Sequence, residues 1–99
     1  MAKSEKLLEF LKLKADVMDN LKAIRENLNR CVDEGMIDFE DEMYNQLLDL
    51  LDEASVSTGW SELEEVISKG KTLEIDVATF LANHGQTSLS LPWPQLPKH

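Results

Sequence analysis

The fold is decided by residues 4–34, which read SEKLLEFLKLKADVMDNLKAIRENLNRCVDE and contain neither glycine nor proline. Apolar side chains recur in this stretch at alternating spacings of three and four, the pattern of a helix that packs lengthwise against other helices. The two columns of this seam are Leu7, Lys14, Leu21 and Leu28, and Phe10, Val17, Ile24 and Cys31. Seven of these eight positions are apolar. The stretch therefore predicts one long helix that is capped at Ser4 and ends before Gly35.

A second helix is predicted from Asp38 to about Ala54. Asp38 is a suitable N-cap, and the three acidic residues at 40–42 fall in the first turn, where the helix dipole favours negative charge. Only Gly35, Met36 and Ile37 connect the two helices. Because so short a connection joins helices that lie side by side in opposite directions, we expect an antiparallel helical hairpin.

Two shorter helices are predicted after the hairpin. The first begins at Ser61, where Ser61 and Glu64 match the S-x-x-E capping box, and ends near Gly70. The second begins at Asp76 and ends before Gly85. The sequence thus predicts an all-α domain over residues 1–85, in which two shorter helices pack on the hairpin of the long first helix.

Residues 86–99 form a predicted extended tail, because three prolines exclude an ordinary helix. The tail is apolar at Leu91 and Trp93, and these side chains can lie on the chain's own domain or on a second subunit. Residues 94–97 also match the P-x-x-P pattern of ligands for aromatic grooves. All three arrangements of the tail stay open at this point.

The charge distribution argues against several classes of partner. The net charge is −9, and residues 33–76 contain fourteen acidic side chains but only two lysines. This segment would repel phosphate groups, so we expect no direct binding to nucleic acid or to an anionic membrane. No apolar run approaches the roughly 20 residues of a membrane span, and residues 1–6 do not resemble a signal peptide. Cys31, the only cysteine, lies on the apolar stripe, so we expect a buried thiol and a cytoplasmic location.

Catalytic and metal-binding motifs are missing from the sequence. Neither His84 nor His99 is spaced from another ligand as in a zinc motif, and there is no phosphate-binding glycine loop or Gly-x-Ser-x-Gly elbow. The acidic stretch around residues 35–42 resembles the second half of an EF-hand loop. However, Arg30 and Val32 occupy the positions of the first and third calcium ligands. We therefore expect no enzyme activity, no metal and no cofactor.

The first helix offers the main hypothesis for function. At 1.5 Å per residue it is about 45 Å long, whereas the second is about 25 Å, so the hairpin cannot cover its N-terminal half. Exposed apolar side chains there would favour association, unless the later helices and the tail cover them. We predict a non-catalytic protein–protein interaction module (an adaptor, assembly factor or small chaperone) that is a homodimer. The predicted partner-binding residues are Leu7, Phe10, Leu11, Val17 and Trp93.

An alternative function follows from the acidic side chains. A small acidic helical domain can act as an inhibitor, such as an antitoxin, an immunity protein or a mimic of nucleic-acid charge, that binds a basic protein surface. A solvated surface that maintains solubility is the simpler interpretation of the same residues. The acidic face predicted for the inhibitor consists of Glu40, Glu42, Asp49, Asp52, Glu62 and Glu65.

Overall fold

The chain folds into three α-helices in the computed structural model, which describes residues 2–86 and 89–97. The helices are α1 (Ala2–Asp33), α2 (Glu42–Val56) and α3 (Trp60–Asn83), and the described residues contain no strand. Each helix contacts the other two. The prediction of an all-α protein is therefore confirmed.

The seam of α1 lies in the centre of the core. Its buried members are Phe10, Val17, Leu21, Ile24, Leu28 and Cys31. They form one cluster with buried side chains of α2 and α3, among them Leu47, Leu50, Leu63, Leu73, Val77 and Leu81. Burying each large apolar side chain contributes about 1.5–3 kcal/mol. The chain's own helices thus cover most of the stripe.

Lys14 is the one polar position of the seam, and its amine bonds to the end of α2. Its Nζ donates hydrogen bonds to the carbonyl oxygens of Ser55 and Ser57, at 2.7 and 3.0 Å. The last carbonyl groups of a helix lack partners within it and carry the negative end of its dipole. A lysine in the seam therefore satisfies acceptors that an apolar residue would leave unpaired.

Of the two predicted ends of α1, the C-terminal end is right and the N-terminal cap is wrong. Gly35 has φ +76°, the left-handed conformation expected just after a helix. The start differs, because α1 begins at Ala2 and Ser4 lies inside the helix. The long helical periodicity thus places the helix, while a single serine does not determine where it begins.

The N-cap of α2 lies three residues later than predicted. Asp41 is the N-cap, and its Oδ1 accepts a hydrogen bond from the Met43 N–H at 2.9 Å. Asp38 Oδ1 instead accepts from the Glu40 N–H, within the turn before the helix. Asp38 and Asp41 are equally suited to cap a helix. The later one is used because the chain needs residues 38–40 to complete the turn between α1 and α2.

The prediction of two shorter helices was wrong, because α3 is continuous from Trp60 to Asn83. Its N-cap is Gly59, so Ser61 lies in the first turn, and both Gly70 and Asp76 lie within the helix. A glycine inside a helix costs about 1 kcal/mol relative to alanine. Gly70 is nevertheless buried, and a Cβ built there would lie 2.5 Å from Cη2 of Trp93. The residue therefore serves close packing instead of ending the helix.

We expect Gly70→Ala to destabilise the chain, although alanine favours a helix, because the Trp93 ring would have to move. In a Trp93→Ala background the same change should stabilise the chain by about 0.5–1 kcal/mol, since only the helix preference remains. Urea unfolding of the four proteins, followed by circular dichroism, measures both effects. A stabilising effect of the same size in both backgrounds would contradict the close contact.

Candidate functional site

Three leucines at the start of α1 form an exposed apolar patch. Their exposed fractions are 58% for Leu7, 65% for Leu8 and 48% for Leu11. Positions three and four residues apart are neighbours on a helix surface, so Leu11 adjoins both of the others. We call these three residues the leucine patch. Large apolar groups exposed together in this way are typical of interaction surfaces.

The leucine patch lies where the core ends. The ring of Phe10 packs edge-on against Trp60, the first residue of α3, with ring centroids 5.1 Å apart. Residues 5–9, by contrast, are all exposed. The buried positions described in α1 therefore begin at Phe10, and residues 5–9 before it present their side chains to solvent.

Two of the predicted partner-binding residues belong to the core and not to this surface. Val17 is fully buried and Phe10 is only 8% exposed. Both side chains are packed in the core cluster of the three helices. Leu8 belongs to the patch instead, and the sign of this in the sequence is that it is an apolar residue of the N-terminal half of α1, beyond the reach of the hairpin.

The charges around the leucine patch are of both signs. Glu5, Lys6, Glu9 and Lys12 are exposed on the same turns. The rest of the chain is dominated by acidic residues, with fourteen in residues 33–76. The patch is thus framed by charges that can pair with their opposites, while most of the surface cannot approach another acidic surface closely.

Trp93, the remaining predicted partner-binding residue, contacts α3 of its own chain. Its ring lies against Gly70, and its Nε1–H donates to Glu74 Oε1 at 3.0 Å. The second carboxylate oxygen of Glu74 accepts a hydrogen bond from the backbone N–H of Leu91. In this arrangement the indole is already bound, so it does not offer a free anchor to a partner.

Asn20 of α1 completes these contacts. Its side chain is 5% exposed, and its Nδ2 donates to the carbonyl oxygen of Pro92 at 3.3 Å. The group formed by Asn20, Gly70 and Glu74 was not predicted from the sequence. A glycine at position 70 is typical of a helix end, and Glu74 is one of fourteen acidic residues in its segment. Neither residue therefore stood out in the sequence as part of a binding site.

The six residues of the predicted acidic face, Glu40, Glu42, Asp49, Asp52, Glu62 and Glu65, are all exposed. Glu65 is partly neutralised, because Lys69 Nζ lies 3.3 Å from its carboxylate and 3.2 Å from that of Glu53 on α2. The hydrogen bond to Glu53, followed by that to Glu65, raises the pKa of Lys69 above its ordinary value. An open cleft of about 410 Å³ between α2 and α3 is lined by Asp49, Glu53 and Lys69, among others. Its mixed charges suit a polar partner better than an apolar one.

Of the two histidines and the cysteine, His84 and Cys31 lie in the part of the chain that the structure describes. His84 Nδ1 lies 2.9 Å from the Phe80 carbonyl oxygen, and the two rings stack 4.2 Å apart. His99 lies outside the described residues. Cys31 is buried, as predicted, and burial raises the pKa of its thiol.

Residues 2–86 and 89–97 contain no group of three or more His, Cys, Asp or Glu side chains that could hold a metal ion. Within the same residues no helix is both long and apolar enough to cross a membrane.

No protein family model, curated protein or solved structure matches this chain. The features of the chain that bear on its function are therefore the leucine patch, the acidic side chains and the contacts of Trp93.

Burial of Cys31 should make its thiol slow to react. With a neutral disulfide reagent we expect a much slower reaction in the native chain than in denaturant. The native rate should also keep rising with pH above about 9, where an ordinary thiol is mostly ionised, because the raised pKa keeps the thiolate scarce. Stopped-flow absorbance across this pH range measures the rate. Equal native and denatured rates would contradict burial of the thiol.

Proposed function

We propose that the chain is a non-catalytic helical interaction module that forms a homodimer through the leucine patch and serves as an adaptor, assembly factor or small chaperone. The observation that carries the proposal is the exposure of Leu7, Leu8 and Leu11 on adjoining positions of one helix. Leaving these side chains in water forgoes about 25 cal/mol for each Å² that a partner would cover. Association removes this apolar surface from solvent.

The charge pattern favours a second copy of the chain as the partner. Two copies that met through residues 33–76 would bring fourteen acidic side chains of each into proximity. Two copies that met through the first turns of α1 would instead bring Glu5 and Glu9 near Lys6 and Lys12. A two-fold symmetric interface uses the same patch on both subunits, so it requires such a self-complementary surface.

The architecture in this proposal is an antiparallel hairpin of α1 and α2, with α3 beside it and residues 86–99 as an extended tail to a domain of residues 1–85. Hydrogen bonds at the two ends of α2 support the hairpin. Tyr44 near the start of α2 donates to Asn29 Oδ1 at 2.7 Å, while Lys14 bonds to Ser55 and Ser57 at its end. The lone cysteine fits a reducing compartment, so we place the module in the cytoplasm.

The exposure of all six acidic side chains favours a second candidate, an inhibitor that binds a basic protein surface. Of these residues, Asp49 lines the cleft between α2 and α3, close to Glu53. In binding of this kind, long-range attraction between opposite charges raises the association rate and favours the correct partner. It therefore depends on ionic strength in a way that contact between leucines does not.

We expect Leu7→Asp with Leu11→Asp to convert the dimer to a monomer, because each interface would then bury charges without partners. Helix content should not change, since both side chains are exposed in the monomer. Light scattering behind a sizing column measures the mass, and circular dichroism checks the fold. Leu48→Asp is the matched control, because Leu48 is 44% exposed on α2, outside the leucine patch. The same mass for the double variant and the wild type would exclude this interface.

Salt separates the two candidate functions. A dimer held by the leucine patch should keep its mass between about 0.05 M and about 1 M salt, where the screening length falls from over 10 Å to about 3 Å. Binding through the acidic face should weaken steeply over the same range. A wild-type chain that is a monomer at both salt concentrations would contradict the homodimer and leave the acidic face as the leading functional surface.

A further inference from the structure

Asn20, Gly70 and Glu74 together hold residues 89–97 by contacts that resemble peptide recognition. We call these three residues the tryptophan cleft. Glu74 accepts one hydrogen bond from a backbone N–H and one from the indole N–H, and Asn20 donates one to a backbone carbonyl. Gly70 provides the space for the ring. The contacts come from two helices, α1 and α3, and converge on Leu91, Pro92 and Trp93.

The contacts define which chemistry the cleft recognises. Two of the three hydrogen bonds go to backbone groups of the bound segment, so they require an extended chain but no particular side chain. The third bond and the fit against Gly70 require an indole, the side chain that combines a large flat ring with an N–H donor. Proline at position 92 has no N–H of its own to satisfy and favours the extended conformation. A residue two positions before the tryptophan must keep its N–H, so it cannot be proline.

The bound segment does not fill the surface beside the cleft. A cavity of about 510 Å³ lies between α3 and residues 94–97, and Ile67 and Lys71 of α3 are among its lining. Trp93 itself, in contrast, fits closely against Gly70. Room is therefore left next to the tryptophan position for larger side chains than Pro94 and Gln95.

We propose that the tryptophan cleft is a binding site for an extended segment of a partner protein that carries tryptophan after proline, and that residues 89–97 occupy it as an internal competitor. None of the three hydrogen bonds depends on the ligand being part of the same chain. A tethered competitor acts at an effective concentration in the millimolar range, so a partner must displace it to bind. The proposal is independent of the leucine patch, which lies on the first turns of α1.

The test is a titration of full-length chains into a fluorescein-labelled peptide LSLPWPQLP, the sequence of residues 89–97, followed by fluorescence anisotropy. Trp93→Ala removes the anchor of the internal competitor but leaves the cleft intact. We expect this variant to bind the peptide at least about tenfold more tightly than the wild type, because its own residues 89–97 no longer compete effectively for the cleft. A peptide with alanine in place of tryptophan should not bind, and one with proline at the Leu91 position should bind at least about tenfold more weakly.

The matched control is Trp93→Ala combined with Gly70→Leu, which fills the space for the indole within a helix that tolerates leucine. It should abolish peptide binding while circular dichroism shows the same helix content. A folded Trp93→Ala chain that binds the peptide no more tightly than the wild type would overturn the proposal, as would undiminished binding by the Gly70→Leu combination. If Trp93→Ala halves the mass, the cleft of the wild type holds the segment of a second copy and not that of its own chain, and the proposal is again wrong. If Trp93→Ala does not fold, the same titration on Trp93→Leu, which keeps an apolar cover over Gly70 but no N–H for Glu74, decides with the same criteria.

Discussion

Burial of the α1 seam between α2 and α3 is the constraint on which the rest of the structure depends. Helices α2 and α3 both pack against the side chains of α1 from Phe10 to Cys31, so the three helices share one core. α1 has 32 residues, whereas α2 has 15 and α3 has 24. Because a helix rises about 1.5 Å per residue, the shorter helices cannot cover α1 along its full length. The exposure of the leucine patch follows from this mismatch in length.

The second constraint is the glycine inside α3. Gly70 weakens the helix locally, yet its missing side chain lets Trp93 approach the backbone, and Glu74 one turn later bonds to the indole and to Leu91. The carboxylate is useful here because both groups that face it are donors. In a chain with so many acidic residues, this one differs from the others through its partners and not through its charge.

The surfaces considered for function are separate and differ in chemistry. The leucine patch is apolar with charges of both signs around it, which suits a second copy of the same chain. The acidic side chains on α2 and α3 suit a basic partner, although Lys69 already pairs with Glu53 and Glu65. The tryptophan cleft combines a close fit for one ring with hydrogen bonds to a backbone, which suits an extended peptide. Because these surfaces are separate, the proposed interaction module would be able to contact more than one partner at once.

The helical class, the long first helix with its apolar seam and its end at Gly35 are predictable without the structure, because a periodicity sustained over thirty residues indicates them. Local patterns were less informative: Asp38 and Asp41 are equivalent as caps, and Gly70 looks like a helix end. The burial of Phe10 and Val17 and the exposure of Leu7, Leu8 and Leu11 depend on where α3 begins, so they follow from the packing of the three helices. Packing also brings Asn20, Gly70 and Glu74 together around one segment of the chain. These residues lie up to 54 positions apart in the sequence, and contacts over such distances leave no local pattern, since they are formed by packing between helices.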